Sequence, residues 1–349
     1  MTSIGAVSRT SVFTVMAGFL AFVAGPAARA QEQTITPGAA DHAAAGEAKR
    51  SALHPMPANP PAAGKYAGAA SATAGAANAA SPFQSGRIRY PGDLSYQGGA
   101  LVDHVQSHAV YVSNKAVNCT TPSCWGNPEG FLQDLGESNF IHITDQYVGR
   151  YDDNRYTDGG HATVTFASLP HELTDSDMLA VVHAVASLTH QTGYNHIYHV
   201  FLPPGTDECF DNTYTTCYSP DNPSTFYFCA YHSSVDFSDI GHVLYSVEPF
   251  QNVRGCNVAP GSPNGQLVDS TNSVLSHELF ESITDPDGTA WWNTASNALY
   301  GNEIADECSF IIFLPGAVYF DPSVFNIGGK RYALQPEYNN SSHACTVQP

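Results

Sequence analysis

Eight cysteines constrain the fold of this chain more than any other feature of its sequence. The chain has 349 residues, and every cysteine lies between positions 119 and 345. An even number of cysteines in an exported chain favours disulfides, and no pair has the C-x-x-C spacing of a zinc knuckle. Cys119 with Cys124, and Cys209 with Cys217, are close enough in sequence to close single loops. We therefore predict these two bridges and leave the remaining pairings open.

The N-terminal residues 1–30 have the pattern of a cleavable signal peptide. Arg9 precedes an apolar run from Val12 to Val23, and Ala28-Arg29-Ala30 has the small-x-small form of a signal peptidase site. The run is about a dozen residues long, which is too short for a stable membrane-spanning helix. We expect cleavage after Ala30 and a mature chain that is secreted, extracellular or periplasmic, with no membrane segment. The alternative is an uncleaved membrane anchor.

The composition divides the rest of the chain into two parts. Residues 31–85 are rich in Ala, Gly and Pro, offer little large apolar surface, and are predicted to form a disordered linker or propeptide. Residues 86–349 have the length of one large domain. The formal net charge is -19 because Lys and Arg number only 13, so nucleic acid and anionic membranes are disfavoured as partners.

The pattern of apolar residues predicts a mixed α/β (α+β) fold. Predicted strands lie at residues 109–112, 196–202, 226–232 and 243–247, with an edge strand or loop start at 140–143 and a short helix at 130–135. A longer helix begins near Asp175 and ends at Gly193. His183 and His190 lie on one face of it without a neighbouring carboxylate, so we interpret them as structural. Helices that alternate with strands indicate a mixed β-sheet packed with helices.

The segment from Ser276 to Cys308 carries the candidate chemistry. A helix is predicted from about Asp269 to Thr284, where Asp285-Pro286 stops it. His277 and Glu281 lie one turn apart on the same face of that helix. This spacing resembles the H-E-x-x-H motif of zinc peptidases, with Glu281 in place of the second histidine. It predicts zinc ligands at His277 and Glu281 and a general base at Glu278.

A second acidic segment, Asn302-Glu303-Ile304-Ala305-Asp306, follows at a distance that resembles the thermolysin-like gluzincins. Those enzymes take a third ligand from such a Glu, and a following Asp supports a ligand histidine. The resemblance implies that Glu303 is the third ligand and that Asp306 supports His277 from outside, although Asp306 is one residue closer than in that pattern. The alternative is that His277, Glu278 and Glu281 form only a solvated polar face.

Three further features of the sequence are assigned no site. His171-Glu172-Leu173 repeats three letters of the motif, but it precedes a predicted helix and is followed by Asp175 in place of the motif's Glu. The sequence D-P-D-G at 285–288 resembles a calcium loop, but it is also a common turn, and we favour the turn. Trp291 and Trp292 either line a substrate groove or close the core over the motif helix.

The order of the motifs resembles the phosphate-induced protein 1 family, which includes the plant EXORDIUM-like extracellular proteins. The shared blocks are S-H-E-L-x-E-x-x-T-D-P, A-W, N-E-I-A-D-x-C, the segment 329–335 and a final Ala344-Cys345. The resemblance covers about Val274 to Val347. It implies an extracellular or cell-wall location and a bridge between Cys308 and Cys345.

Two functions are therefore expected from the sequence. The first is an exported, zincin-like metallohydrolase, a zinc-dependent peptidase acting on a peptide or protein substrate with Glu278 as its base. The second is a non-catalytic extracellular protein of the EXORDIUM-like family that associates with cell-wall polysaccharide. In the second case, the acidic residues only hold the fold together.

Overall fold

The computed structural model describes residues 34–58, 92–114, 119, 121–149, 155–166, 169–295, 299–312 and 323–349. The predicted signal peptide lies outside the described residues. The fold is mixed α/β, with several sheets, as the sequence predicts.

The α-helices are α1 Ala39–Glu47, α2 Pro128–Gly136, α3 Asp145–Val148, α4 Asp175–Thr189, α5 Gln266–Thr284 and α6 Asp306–Ile312. The strands are β1 Thr34–Ile35, β2 Lys49–Arg50, β3 His54–Pro57, β4 Leu94–Tyr96, β5 Val105–Asn114, β6 Tyr156–Phe166, β7 Glu172–Thr174, β8 His196–Phe201, β9 Asp207–Cys209, β10 Cys217–Tyr218, β11 Phe228–Phe237, β12 Gly241–Glu248, β13 Trp291–Asn293, β14 Ser323–Ile327, β15 Lys330–Leu334, β16 Glu337–Asn339 and β17 Ala344–Thr346.

One large sheet organises the fold. Its strand order is β1-β6-β5-β8-β12-β11-β2, and β3 also pairs with β11. The pairs from β1 to β12 are parallel, whereas β11 runs antiparallel to β12, β2 and β3. Small sheets made of β7, β9 and β10, of β4 and β13, of β14 and β15, and of β16 and β17 surround it.

Helices cover both faces of the large sheet, and the alternation of side chains along β5 shows this. Val110 and Val112 belong to the core that contains α4. Ala109 and Tyr111 point the other way, into the core that contains α2 and α5. A parallel sheet is normally covered on both faces because its crossover connections place helices there.

Residues 34–58 do not behave as the disordered linker expected from their composition. Their strand β1 pairs with β6 at one edge of the sheet, α1 packs on α4, and β2 and β3 pair with β11 at the other edge. Met56 is fully buried, and the Arg50 guanidinium contacts the buried carboxylate of Asp175. Backbone pairing with existing strands orders a segment whose own side chains could not form a core. We call residues 34–58 the N-terminal strap.

Four disulfides join the eight cysteines. Cys119–Cys124 and Cys209–Cys217 close the two predicted loops. Cys308–Cys345 is the bridge that the family resemblance implies. Cys229–Cys256 is the pair that the sequence left open. All four lie outside the strap, which is attached by hydrogen bonds, ion pairs and packing.

Most predicted elements are present, and two local predictions needed correction. Residues 141–144 form a 3₁₀ helix instead of an edge strand. The Thr144 hydroxyl donates to the Ile141 carbonyl at 2.7 Å, and this local bond favours a turn over an extended chain. His183, for which the sequence indicates no neighbouring carboxylate, does contact two: its ring nitrogens lie 2.8 Å from Asp41 and 3.0 Å from Asp239.

Candidate metal centre

The helix α5 is buried on every side although its sequence is largely polar. Every residue from Asp269 to Thr284 is buried. A helix buried all round is normally apolar, because a buried polar side chain loses its contacts with water. The polar side chains of α5 therefore need partners inside the protein. The alternative in which His277, Glu278 and Glu281 form a solvated face does not agree with this burial.

The two ligands predicted on α5, His277 and Glu281, lie in contact with each other. His277 Nε2 lies 3.1 Å from Glu281 Oε1 and 3.7 Å from Asp306 Oδ1. One ligand atom from each of these three residues lies within 4.8 Å of the others. Adjacent ligand atoms of a tetrahedral zinc ion, with bonds near 2 Å, lie about 3.3 Å apart. The spacing therefore suits a metal ion.

Asp306 completes this group, and the predicted third ligand Glu303 lies elsewhere. Glu303 Oε1 is 3.7 Å from His232 Nε2, and its Oε2 is 2.9 Å from His54 Nδ1. The helix α6 begins only at Asp306, so Glu303 lies before it and is directed differently. The gluzincin pattern therefore transfers only in part, since Asp306 and not Glu303 lies beside His277.

Gln335 determines which nitrogen of His277 faces the carboxylates. The Gln335 amide nitrogen donates to the Ala305 carbonyl at 2.6 Å, so its Oε1 faces His277 Nδ1 at 3.2 Å. An amide oxygen only accepts, so Nδ1 carries a proton and Nε2 of the neutral ring is free to bind a metal. Gln335 thus holds the outer position that the sequence assigned to Asp306.

His232, which belongs to none of the sequence motifs, enters the cluster from β11. Its Nδ1 lies 3.4 Å from Glu278 Oε2 and 3.5 Å from Glu281 Oε2. Its Nε2 lies 3.3 Å from the Asp285 carbonyl oxygen. The sequence offers only a weak signal for this role, a histidine that ends the otherwise apolar run 226–231. The pairing of β11 with β12 and the position of α5 bring it to Glu278 and Glu281.

Several buried atoms of the cluster receive no hydrogen bond from the described part of the chain. They are His232 Nδ1, His277 Nε2, both carboxylate oxygens of Glu278, and Glu303 Oε1. Such atoms are rare in native proteins because leaving them unpaired is costly. A cation bound between them would satisfy them, so the donor set fits a metal of the zinc class, which accepts both imidazole and carboxylate ligands.

The cluster is strongly acidic. Its carboxyl groups belong to Glu248, Glu278, Glu281, Glu303, Asp306 and Glu337, and all but Asp306 are at most 1% exposed. Within the described ranges, the ion pairs of these groups are formed with histidines, and no lysine or arginine joins them. Buried charges are normally paired or bound to a metal.

Burial and mutual repulsion shift the pKa values of these carboxyls. Burial, together with the charge of Glu281, raises the pKa of Glu278 and of Glu303 well above that of an ordinary glutamate. The same two causes raise the pKa of Asp306 to about 8. A cluster of this kind either retains protons at neutral pH or binds a cation that replaces them.

Glu281 is the exception. Burial alone would raise its pKa, but the neighbouring His277 and His232 together outweigh this effect and lower the pKa to about 2. In the same way, burial would lower the pKa of His277, but Glu281 raises it to about 9. Glu281 is therefore the charged centre of the cluster.

His54, from the N-terminal strap, lies over the cluster on the side of Glu303. Its ring stacks on that of His232 at a centroid distance of 5.1 Å, and its side chain is 20% exposed, against 1% for His232. Residues 285–288 form the predicted turn, and Gly288 adopts a left-handed φ of 68°. A Cβ atom at position 288 would lie 2.1 Å from His54 Nε2, so only glycine permits this contact.

His171, Glu172 and Trp291, to which the sequence assigns no site, have ordinary surroundings. His171, Glu172 and Asp207 also form a group within 4.8 Å, but the His171 side chain is 63% exposed, and exposed acidic groups are common without a metal. Trp291 packs against Tyr96 and donates its ring N–H to the Tyr147 carbonyl at 2.9 Å.

No family model, no curated protein and no solved structure matches this chain. In the described part of the chain, no helix has the length and apolar character needed to cross a membrane.

Proposed function

We propose that this chain is an exported zinc-dependent hydrolase of the peptidase class. His277, Glu281 and Asp306 would hold the zinc ion, and Glu278 would act as the base. The observation that carries the proposal is the convergence of His277 Nε2, Glu281 Oε1 and Asp306 Oδ1 in a buried cluster, with His277 Nδ1 already committed to Gln335.

The chemistry would follow from the positions of the side chains. Zinc bound there would polarise a carbonyl group and acidify a water molecule. Glu278 follows His277 on α5, and no described residue donates a hydrogen bond to either of its carboxylate oxygens. Its pKa is raised, so its ionised form would be a good acceptor for a proton from water. Gln335 would keep the His277 ring in the orientation that presents Nε2.

The disulfides support the exported part of the proposal. Stable bridges form in oxidising compartments and are rare in the cytosol. All eight cysteines are paired in four bridges. The secretion pattern at residues 1–30 and the resemblance to an extracellular family agree with this location.

Metal analysis tests the proposal directly. We expect the purified full-length chain to retain zinc after exhaustive dialysis, and His277→Ala and Asp306→Asn to lose one equivalent. Asp306 is partly exposed, so Asp306→Asn should fold even if His277→Ala does not. Glu278→Gln should keep this zinc and lower the hydrolysis of unfolded protein substrates by about 10²- to 10⁴-fold.

His171→Ala is the matched control, because it removes a histidine from the other H-E pair and from an exposed acidic group. It should leave both the zinc content and the activity unchanged. Wild-type protein without stoichiometric zinc, or undiminished zinc in His277→Ala, would contradict the proposal.

A second candidate function, polysaccharide association without catalysis, is favoured by exposed aromatic rings around β13. Tyr96 is 47% exposed and packs against Trp291, and Tyr300 is 56% exposed and packs against Trp292. Amphipathic aromatic rings are common at binding surfaces. If this function holds, Trp292→Ala should weaken retention in affinity electrophoresis on polysaccharide gels, whereas Glu278→Gln should not.

A further inference from the structure

We infer that the cluster holds a second cation, bound by His232 Nδ1, Glu278 Oε2 and Glu281 Oε2. Glu281 would then bridge two metal ions, one through each carboxylate oxygen. This inference rests on the proposed function for the first ion, at His277, Glu281 and Asp306, and extends it to a two-metal centre.

The distances at the second position match those expected of metal ligands. His232 Nδ1 lies 3.4 Å from Glu278 Oε2 and 3.5 Å from Glu281 Oε2. Ligand atoms around a tetrahedral ion with bonds near 2 Å are separated by about 3.3 Å. The three residues form a group within 4.8 Å, and each is at most 1% exposed.

The hydrogen-bonding capacity of His232 points to a cation in the same place. Its Nε2 faces the carbonyl oxygen of Asp285 at 3.3 Å, and a carbonyl only accepts, so the ring proton belongs on Nε2. Nδ1 then presents a lone pair to two carboxylate oxygens. Three acceptors that face one another at this distance repel unless a positive charge lies between them.

Two of the three proposed ligands have atoms that no described residue hydrogen-bonds. Among the described residues, no hydrogen bond reaches His232 Nδ1 or either oxygen of Glu278. These atoms are distinct from those of the first position, which uses His277 Nε2, Glu281 Oε1 and Asp306 Oδ1. The two positions share Glu281 and nothing else.

Charge balance supports two cations over one. The six carboxyls of the cluster, five of them buried, are opposed by histidines alone in the described ranges. One divalent ion would leave most of that charge uncompensated at low dielectric, whereas two ions neutralise four carboxylates. In two-metal hydrolases, ions about 3.5 to 4 Å apart stabilise both the attacking and the leaving oxygen, and a bridging carboxylate suits that separation.

Metal stoichiometry of the full-length chain tests the inference. After reconstitution with Zn²⁺ and dialysis, wild type should contain two zinc ions per chain, and His232→Ala and Glu278→Gln should each contain one. His277→Ala should also contain one. Glu278→Gln keeps the size of the side chain, so it remains informative if His232→Ala does not fold.

A spectroscopic measurement examines the bridge itself. With Co²⁺ in both positions, the electron paramagnetic resonance signal per cobalt should be reduced in wild type by coupling through Glu281. It should recover in Glu278→Gln, which would hold a single ion. His171→Ala should behave as wild type in both measurements.

The outcomes separate this inference from the proposed function. One zinc ion in wild type that is lost in His277→Ala would overturn the second position and leave the proposed function standing. One zinc ion that is lost in His232→Ala but kept in His277→Ala would overturn both assignments, because only one position would exist and it would be the other one. No zinc in wild type would also overturn both.

Discussion

Glu281 is the residue on which the whole centre depends. Its Oε1 faces His277, and its Oε2 faces His232. It also accepts the backbone N–H of Asp306 at 3.1 Å, which fixes its rotamer. A histidine at this position, as in the H-E-x-x-H pattern, could not present two oxygens to two partners. The departure from that pattern therefore places two carboxylate oxygens between His277 and His232.

The ion pair between His242 and Asp287 predicts how the stability of the protein depends on pH. His242 Nε2 lies 3.3 Å from Asp287 Oδ1, and its Nδ1 lies 2.9 Å from Asp236. Burial would lower the pKa of His242, but these two carboxylates raise it above 6.5. Burial would raise the pKa of Asp287, but His242, Ser234 and Tyr194 lower it to about 2.

Because the folded pKa of His242 is raised, its contribution is complete below pH 6.5 and is lost as the pH rises through the folded value. That of Asp287 is present above pH 3.8 and is lost as the pH falls towards about 2. We expect His242→Gln to lower the free energy of unfolding by about 1 kcal/mol at pH 5, since the pair is partly exposed, and by less at pH 9. Urea denaturation at the two pH values measures this, and an equal loss at both would contradict it.

Among the elements, the loop between α5 and α6 carries Glu303, whereas Asp306 and Cys308 belong to α6. The bridge to Cys345 attaches α6 to β17, 37 residues further along the chain. Tyr338, in the neighbouring strand β16, also donates its backbone N–H to the Ile304 carbonyl at 3.0 Å. The position of Asp306 beside His277 therefore depends on the C-terminal strands.

The paired variant Cys308→Ser/Cys345→Ser should be less stable and should bind metal less tightly. Removing a bridge that closes a loop of this length costs about 4 kcal/mol through the greater entropy of the unfolded chain. The loss of zinc affinity should exceed that in Cys119→Ser/Cys124→Ser. That bridge joins cysteines only 5 positions apart and attaches no segment that carries a cluster residue. Denaturant unfolding and zinc competition titrations check the two effects, and equal zinc affinities in the two variants would argue against them.

At the scale of the whole molecule, the N-terminal strap crosses the large sheet from β6 at one edge to β11 at the other. It covers the edge of β11, which would otherwise present unpaired backbone groups. It also places His54 against Glu303 and His232. Since Glu278 and His277 are fully buried, the strap is one of the elements that separate the cluster from solvent.

We expect His54→Ala to speed the release of bound zinc to a chelator by about tenfold, which corresponds to a loss of about 1.4 kcal/mol in the contact that keeps the site closed. The number of zinc ions per chain should stay the same. His42→Ala is the control, because His42 is exposed on α1 of the same strap. A lower zinc content in His54→Ala, with no faster release, would mean that His54 is a permanent ligand and not a cover.

The parts of the structure that depend on neighbours in the chain could be predicted. The end of α5 follows from Asp285-Pro286, and the two loop disulfides follow from separations of 5 and 8 residues. The expected disorder of residues 34–58 failed because composition reports only what a segment can bury by itself. It does not report the strand edges that the rest of the fold offers for backbone pairing.

For the centre itself, the sequence alone determined that His277 and Glu281 lie on one face of a helix, because that depends only on the helical repeat. The tertiary structure decided everything that required distant segments to meet. It placed Asp306, not Glu303, beside His277, and it brought His232 to Glu278 and Glu281. Strand pairing and the packing of α5 on the sheet set these distances, and no local pattern of residues encodes them.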